Sequence, residues 1–329
     1  MGDGHPIGGE FCMSACLLLS LSLGLLAAEP AAATSTSSSA ASATLPAGTS
    51  PATPAKLAER RYQQQGWWIV ETTNFRVCTL ENFDESTRIA RHCEALRKSI
   101  RDLWLPGTAE AAWTPRCDVI AHATDAGYLR AVGRGAAHTA GSALIEFEAT
   151  QVAVRRVDLK HASPEALESA LAHELTHVVL ADRFSEQQIP RWADEGMAVL
   201  ADSQAKQRLH WRDLHRGLQS HTTLRLAEMV GLEDYPAPDR MAVFYGQSVS
   251  LVSFLLEYGK PGQFVEFVEA SLKSGYDQAL RDVYQLKGLA DLEQRWLSSI
   301  STAGTTRFVS STPADFPVIN SLAAQRRGT

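Results

Sequence analysis

The sequence predicts an α+β fold, with a mixed β-sheet and some helix in the N-terminal half and a helical C-terminal half. Two observations support this prediction. Short segments rich in β-branched and aromatic residues, separated by turn residues, lie before Pro164. After Pro164 the apolar residues recur every three or four positions, which is typical of helices. Strands that come first and helices that follow, without regular alternation, are the pattern of α+β domains.

The N-terminal half contains the predicted strands. The segments WWIV and FRVC are rich in β-forming residues and flank the turn-forming segment ETTN, so they predict a pair of strands. Apolar side chains from Ile89 to Leu103 recur at three and four residues and predict a helix. In chain order we predict strands at 67–70 and 75–78, a helix at 84–103, a strand at 118–121, a short helix at 125–132, and strands at 142–147 and 151–157.

The first helix of the C-terminal half has a well-defined start. Ser163 offers a hydroxyl cap, Pro164 suits the first turn, and Glu165 lies near the positive end of the helix dipole. Leucine and valine side chains then follow at helical spacing, so we expect this helix to be largely buried. The predicted helices are 164–183, 191–206, 224–229, 245–258, 261–271, 276–286 and 291–300.

The composition is that of a globular protein and excludes two classes of function. The chain has 329 residues, of which 21% are charged and 45% hydrophobic. Its 31 basic and 37 acidic residues give a net charge of −6, which argues against a general nucleic-acid binder because such a protein needs a basic face. Only one apolar stretch approaches the roughly 20 residues that a membrane span needs, so a multi-span membrane protein is excluded.

That apolar stretch predicts a signal peptide or an N-terminal anchor at residues 1–28. Its apolar centre has the length of a signal h-region and small residues follow it, although residues 1–12 contain no Lys or Arg. Whether the segment is cleaved stays open, and an uncleaved segment would be the only contact with a membrane. In either case we expect the folded part outside the cytoplasm, secreted or in the periplasm or cell envelope.

The folded domain is predicted at residues 56–300. Residues 29–55 consist almost entirely of Ala, Ser, Thr, Pro and Gly, and residues 301–329 are similar. Such segments bury too little apolar surface to offset the entropy of ordering them, so we predict a disordered linker and a disordered C-terminal tail.

Three cysteines fall in this predicted domain, namely Cys78, Cys93 and Cys117. In an oxidising compartment they predict either one disulfide with one free thiol or three buried thiols. Because no C-x-x-C pair occurs, a zinc site made of cysteines is not expected.

The most informative segment is HELTH, which lies inside the buried helix predicted at 164–183. His173 and His177 are four residues apart, so both imidazoles project from one face and can bind one cation. Glu174 lies beside them and can reach a metal-bound water. Three ionisable side chains on a buried helix are costly unless something satisfies them, which favours a metal site over core histidines bonded to backbone carbonyls.

A catalytic zinc site takes three protein ligands and leaves a fourth position for water. The segment PRWADEGMA offers two carboxylates, Asp194 and Glu195, and these neighbours cannot both point the same way from one helix. Glu195 follows His177 by eighteen positions, which is far enough for one helix to end and a second to return. Gly196 lacks a side chain and would let the two helices approach closely.

HELTH and WADEGMA together resemble the motifs of the gluzincin metallopeptidases, most closely the secreted peptidase-MA-like group. Members carry H-E-x-x-H on one helix and a ligand glutamate in W-x-x-E-G-x-A on the next. The resemblance covers roughly residues 67–300, strongly at these motifs and loosely elsewhere, including YGQSVSLVSFLLEYG and GYDQAL…LADLEQRW. It implies a zincin-like fold with an active-site helix. It also implies a Zn²⁺ ion bound by His173, His177 and Glu195, with Glu195 preferred to Asp194.

The implied activity is hydrolysis of peptide bonds in a peptide or protein substrate by a zinc-activated water. Glu174 would take the proton of this water as general base and deliver it to the leaving amine. Tyr245 is the candidate donor to the oxyanion, because it opens a predicted helix where the family often supplies a phenol. The alternative for Tyr245 is packing between helices.

Other polar residues near the motifs are expected to be solvated. Asp202, seven residues beyond Glu195 on the same helical face, would be placed to orient an imidazole, but we expect a solvated carboxylate. His210 and His215 fall in HWRDLHRGL, which predicts a solvated amphipathic helix.

We therefore predict a secreted zinc metallopeptidase. Two alternatives stay open. One is a non-catalytic zincin-like binding or scaffold domain on the export side, which would have no need of Glu174. The other is a zinc hydrolase that acts on a non-peptide amide, since the zinc chemistry is shared and specificity lies in pockets elsewhere. The cleavage preference and the oligomeric state are left open.

Overall fold

The computed structural model describes residues 59–160 and 162–303, with side chains described as far as residue 300. The segments predicted as a signal at 1–28 and a linker at 29–55, and nearly all of the tail predicted at 301–329, lie outside these residues. The described residues all belong to one unit of the chain, Ala55–Thr329.

A mixed sheet of six strands forms the first part of the described chain. Its strands are β1 (Arg60–Gln64), β2 (Trp67–Glu71), β3 (Phe75–Thr79), β4 (Cys117–Ala121), β5 (Gly141–Glu148) and β6 (Gln151–Leu159). Their order in the sheet is β1-β2-β3-β4-β6-β5. The pairs β3–β4 and β4–β6 are parallel and the other pairs are antiparallel. Strand β5 is an edge of the sheet, so one side of its backbone has no strand partner among the described residues.

Two long helices cover one face of this sheet, α1 (Phe83–Trp104) and α3 (Pro164–Ala181). Side chains from the central strands, including Val77, Val119 and Val157, are fully buried against them. The helical periodicity predicted from Ile89 onward is confirmed, since those apolar residues form the buried side of α1. A short helix, α2 (Asp125–Val132), lies between β4 and β5.

The C-terminal half is helical, as predicted. Its helices after α3 are α4 (Arg191–Leu200), α5 (Gln204–Ser220), α6 (Leu226–Val230), α7 (Met241–Tyr258), α8 (Pro261–Ser274), α9 (Tyr276–Tyr284) and α10 (Leu289–Ala303). The α+β prediction, with a mixed sheet first and helices after it, is confirmed. No helix in the described part of the chain is both long and apolar enough to span a bilayer.

Gly196 lets two helices approach closely, but they are not the two that the motifs suggested. A methyl group added at Gly196 would lie 2.7 Å from the carbonyl oxygen of Ser248, which is on α7. The close approach is therefore between α4 and α7, and not between the two motif helices α3 and α4.

Several boundaries differ from the predictions for local reasons. The helix predicted at 191–206 is two helices, since the chain turns at Ala201 and Ser203 caps α5 by accepting a hydrogen bond from the Lys206 N–H at 3.4 Å. Strand β1 was not predicted, because its sequence RRYQQ carries almost no apolar signal. Helix α7 starts at Met241, one turn before the predicted start at Tyr245.

The cysteines of the described residues are all free thiols. Cys93 and Cys117 are buried, and Cys78 is partly buried. The alternative with one disulfide is therefore not observed among these residues, and burial raises the pKa of the Cys78 thiol to about 11.

Candidate metal centre

Helix α3 carries the HELTH segment into the core of the protein. Ser163 caps the helix by accepting a backbone N–H bond of 3.3 Å. Every residue from 169 to 181 except His177 is buried. His173 and His177 present their rings on the same face, with ring centroids 5.1 Å apart. The local helix thus brings both imidazoles together without help from the rest of the fold.

Helix α4 brings a carboxylate to the same place. Oε2 of Glu195 lies 3.5 Å from Nε2 of His173 and 4.0 Å from Nε2 of His177. One ligand atom from each of these three residues lies within 4.8 Å of the other two. The structure therefore brings together the three residues that the sequence analysis proposed as metal ligands.

The other nitrogen of each imidazole faces an aspartate. Nδ1 of His173 lies 3.1 Å from Oδ2 of Asp202, and Nδ1 of His177 lies 2.8 Å from Oδ1 of Asp194. The expectation that Asp202 is solvated is wrong: only 4% of the residue is exposed, because the turn after α4 folds it under α3. Asp194, the rival ligand in the sequence analysis, contacts His177 from behind. Asp202 is placed to hold the Nδ1–H tautomer of His173 and leave its Nε2 free to bind a cation, whereas Asp194 lies within ion-pair distance of His177 without the geometry of a hydrogen bond.

These residues fit a bound divalent metal ion. Oε2 of Glu195, the oxygen nearest both imidazoles, is buried and accepts no hydrogen bond within the described residues. Burial alone would raise the pKa of Glu195, but His173, His177 and Tyr235 hold it at about 2, so the carboxylate is ionised. A buried carboxylate oxygen without a donor is costly unless a cation contacts it. Two imidazoles and one carboxylate are also a ligand set of catalytic zinc sites.

The surrounding charge is negative and favours a cation. Burial lowers the pKa of His173, but the carboxylates of Asp202 and Glu195 outweigh it and raise the pKa to about 10. In the same way Asp194 and Glu195 raise the pKa of His177 to about 9. A site that draws protons onto both imidazoles is one in which a metal ion can replace those protons.

Glu174 lies beside these groups and has a different environment. It is buried, it has no hydrogen bond or ion pair with the other described residues, and burial raises its pKa. Its side chain packs against the first residue of the edge strand β5, where a methyl group added at Gly141 would lie 2.8 Å from Cγ of Glu174. A buried carboxylate with a raised pKa and no structural partner is typical of a general base.

Tyr245, the proposed oxyanion donor, lies on the second turn of α7 and does not open that helix as expected. Burial raises the pKa of its phenol, and the charges of Glu195, Glu174 and Asp202 raise it further. The phenol is therefore neutral and can donate a hydrogen bond near the acidic groups of the site. Its role stays a prediction.

A second phenol, Tyr235, contacts the proposed ligand Glu195 directly. Its hydroxyl donates a hydrogen bond to Oε1 of Glu195 at 2.5 Å. Tyr235 lies in the loop between α6 and α7, and 40 positions separate it from Glu195. No local spacing in the sequence connects these two residues, so the pairing follows only from the tertiary fold.

His210 is also not where the sequence analysis placed it. The expectation of a solvated residue is wrong: both ring nitrogens are buried and make no hydrogen bond in the described part, and burial lowers its pKa to about 4. Its ring lies 5.4 Å from the Tyr245 ring, centroid to centroid. A neutral imidazole therefore packs beside the candidate phenol.

The site lies within a region that matches a known family. Residues 133–302, just over half of the chain, match the family model of the peptidase MA superfamily. The matched residues run from before β5 to the end of α10 and include both helices that carry the proposed ligands. No curated protein matches the sequence.

Proposed function

Because the chain belongs to the peptidase MA superfamily, we propose that it is a zinc-dependent peptidase of the gluzincin type. His173, His177 and Glu195 hold the metal, and Glu174 is the general base. The observation that carries this proposal is that one ligand atom from each of the three residues lies within 4.8 Å of the other two, with a carboxylate close to the Nδ1 atom of each imidazole.

Each residue of the site has a separate role in the proposed reaction. A bound zinc ion supplies a Lewis acid that polarises the scissile carbonyl and lowers the pKa of water. Glu174 accepts the proton of the attacking water and returns it to the leaving amine, for which a buried carboxyl with a raised pKa is suited. Tyr245 donates its phenolic proton in a hydrogen bond to the carbonyl oxygen as negative charge develops there.

A peptide is the substrate that the fold favours over another amide. Strand β5 is a sheet edge, and its first residue, Gly141, contacts Glu174. An extended peptide that pairs with this edge through its backbone would pass next to the general base. A small non-peptide amide would make no use of the edge strand.

The test separates metal binding from catalysis. The full-length protein is loaded with zinc, its metal content is measured by elemental analysis, and its activity is measured on a broad peptide library by mass spectrometry. Wild type should bind one equivalent, and His173→Ala or His177→Ala should lose it. Glu174→Gln should keep the zinc and lose hydrolysis by about 10²- to 10⁴-fold.

Glu165→Gln is the matched control, because Glu165 is an exposed glutamate on the same helix. It should keep both zinc and activity. Zinc retained at full occupancy in both histidine variants would overturn the proposed site. Zinc binding with no hydrolysis by wild type would favour the non-catalytic scaffold.

We also propose that the protein acts outside the cytoplasm. The support is the sequence pattern at residues 1–28, an apolar stretch of signal-peptide length followed by small residues. Fractionation of cells that express the full chain, with N-terminal sequencing of the product, tests this proposal. A full-length product in the cytoplasmic fraction would contradict it.

A further inference from the structure

Arg191 is a cation linked to the metal centre through one aromatic ring. It is the first residue of α4 and precedes Glu195 by four positions, so the two side chains lie on the same face of the helix. The guanidinium carbon lies 5.0 Å from the centroid of the Tyr235 ring. The hydroxyl of the same ring donates to Glu195 at 2.5 Å.

The charge of Arg191 is not neutralised by the described residues. In the amide orientation that satisfies both groups, the amide oxygen of Gln188 accepts from its Nε at 3.3 Å and its Nη2 at 2.8 Å. The Nη1 donors have no hydrogen bond among the described residues, and no described carboxylate forms an ion pair with Arg191. Arg155, a buried arginine of the described part of the chain, does have such a partner, Asp182. Arg191 is only partly buried, so a ligand from solvent can reach it.

Arg191 also lies at the N-terminus of its helix, and its charge acts on the candidate phenol. Helix α4 begins after Pro190 and has no side-chain cap hydrogen bond at its N-terminus among the described residues, and the acidic residue of its first turn, Asp194, faces His177. The field of Arg191 also reaches the candidate phenol, since burial raises the pKa of Tyr245 and Arg191 partly offsets that rise. A cation at this place acts on groups that meet the substrate.

We propose that Arg191 binds a carboxylate of the substrate and thereby selects the peptides that the enzyme cleaves. This inference rests on the proposed peptidase function. A planar guanidinium with free donors matches a carboxylate in two parallel hydrogen bonds. Because an extended peptide spans roughly 3.3–3.6 Å per residue, a carboxylate within about three residues of the scissile bond reaches Arg191. The carboxylate is either the free C-terminus of the peptide or an Asp or Glu side chain.

The alternative is that Arg191 only packs on Tyr235 and holds its loop. The two roles differ in what they do to selectivity. Loss of a structural contact weakens the binding of all peptides alike, whereas loss of a carboxylate ligand weakens only the binding of peptides that carry the carboxylate. The ratio between matched peptides is therefore the measurement that separates them.

The experiment uses the zinc-loaded full chain with Glu174→Gln, so that bound peptides are not cleaved. Three random peptide libraries are compared by retention on the immobilised protein. The first has free C-termini and no Asp or Glu, the second is C-terminally amidated without Asp or Glu, and the third is amidated and contains Asp and Glu. Arg191→Gln and Arg191→Lys are added to this background. Arg212→Gln is the control for the change in net charge, because Arg212 is exposed on α5 and has no part in the site.

We expect the parent protein to retain the first or the third library at least about tenfold better than the second, the range that a hydrogen-bonded charge provides. The preferred library identifies the source of the carboxylate. Arg191→Gln should lower that ratio to about one, Arg191→Lys should keep part of it, and Arg212→Gln should keep all of it. Equal retention of the three libraries by the parent, or an unchanged ratio in Arg191→Gln, overturns the proposal. Failure of the peptidase function itself would appear separately, as absence of zinc or of hydrolysis in the protein with Glu174 intact.

Discussion

Asp202 and His173 are joined by a contact of 3.1 Å between Oδ2 and Nδ1. The other oxygen of Asp202 accepts hydrogen bonds from Nζ of Lys206 at 2.9 Å and from Oγ of Ser169 at 3.3 Å. These two hydrogen bonds fix the orientation of the carboxylate that contacts the imidazole. It sets the tautomer of His173 with the proton on Nδ1, so that Nε2 is the atom that faces Glu195.

Asp202→Asn should therefore weaken zinc binding without removing a ligand. Loss of the carboxylate behind a ligand histidine typically lowers metal affinity by about 10- to 100-fold. Zinc affinity is measured by competition with a chelator. Asp102→Asn, which removes an exposed carboxylate on α1, is the control and should leave the affinity unchanged. An unchanged affinity in Asp202→Asn would show that the contact does not tune His173.

How much of this site follows from the sequence depends on the distance along the chain. His173, Glu174 and His177 occupy one helix, so their juxtaposition is a property of helical geometry alone. The sequence alone misjudges Asp202, because one helix over 191–206 places it on the face of Glu195 but seven residues further along, where a carboxylate is by default solvated. The break at Ala201 returns it under α3, and Ser203 as a helix cap is the signal that would have indicated the break.

The hydrogen bond between Tyr235 and Glu195, in contrast, does not follow from any local sequence pattern. Tyr235 lies in a loop, 40 positions from Glu195, so no helical or strand spacing relates the two residues. Only the packing of α6 and α7 brings Tyr235 to Glu195. Part of the sheet likewise depends on tertiary pairing and not on a local sequence pattern. The helices follow from periodicity and the central strands from β-forming residues between turn signals, whereas β1 was missed because it is held by its pairing with β2 and not by its own apolar residues.

Tyr235→Phe should lower zinc affinity while leaving Tyr245 in place. The hydroxyl of Tyr235 holds Oε1 of Glu195, so Oε2 is directed to the two imidazoles. Without it the carboxylate is free to rotate, and we expect a loss of about 10-fold or more in zinc affinity. Chelator competition measures this loss. At saturating zinc, kcat should recover toward that of wild type; a kcat that stays low with zinc bound would instead give Tyr235 a role in the reaction.

Tyr245→Phe should lower kcat and leave zinc binding unchanged, the opposite of the result expected for Tyr235→Phe. If the phenol contacts the developing oxyanion, its loss acts on the transition state more than on the bound substrate, so kcat should fall by about 10²- to 10³-fold with little change in KM. Zinc content should be unchanged, because the hydroxyl contacts no ligand in the described structure. A kcat within about threefold of wild type would assign Tyr245 to packing beside His210.

Gly141→Ala tests the contact between the edge strand and the general base. The added methyl group would lie 2.8 Å from Cγ of Glu174, so the side chain of Glu174 has to move. We expect a loss of about tenfold or more in kcat, since a small displacement of a catalytic group is costly, with one equivalent of zinc retained. Gly135→Ala is the control, because nothing lies within 4 Å of the added atom there. Equal activity in the two variants would mean that Glu174 has room to adjust.

His92 provides a test of pH-dependent stability away from the metal centre. It lies on α1, its Nε2 is buried and accepts or donates no hydrogen bond among the described residues, and burial, with a contribution from the charge of Arg88, lowers its pKa from 6.5 to about 4. Below pH 6.5 the unfolded chain takes up a proton at His92, whereas the folded chain does so only near pH 4. The free energy of unfolding therefore falls as the pH is lowered through this window.

His92→Gln removes the titrating group. Between pH 6.5 and pH 4, the free energy of unfolding of this variant should therefore fall by about 2 to 3 kcal/mol less than that of wild type. Urea unfolding followed by circular dichroism at several pH values measures the difference, and His138→Gln, at an exposed histidine, should follow wild type. If the free energy of unfolding changes with pH in the same way in His92→Gln and wild type, the folded protein takes up a proton at His92 as readily as the unfolded chain.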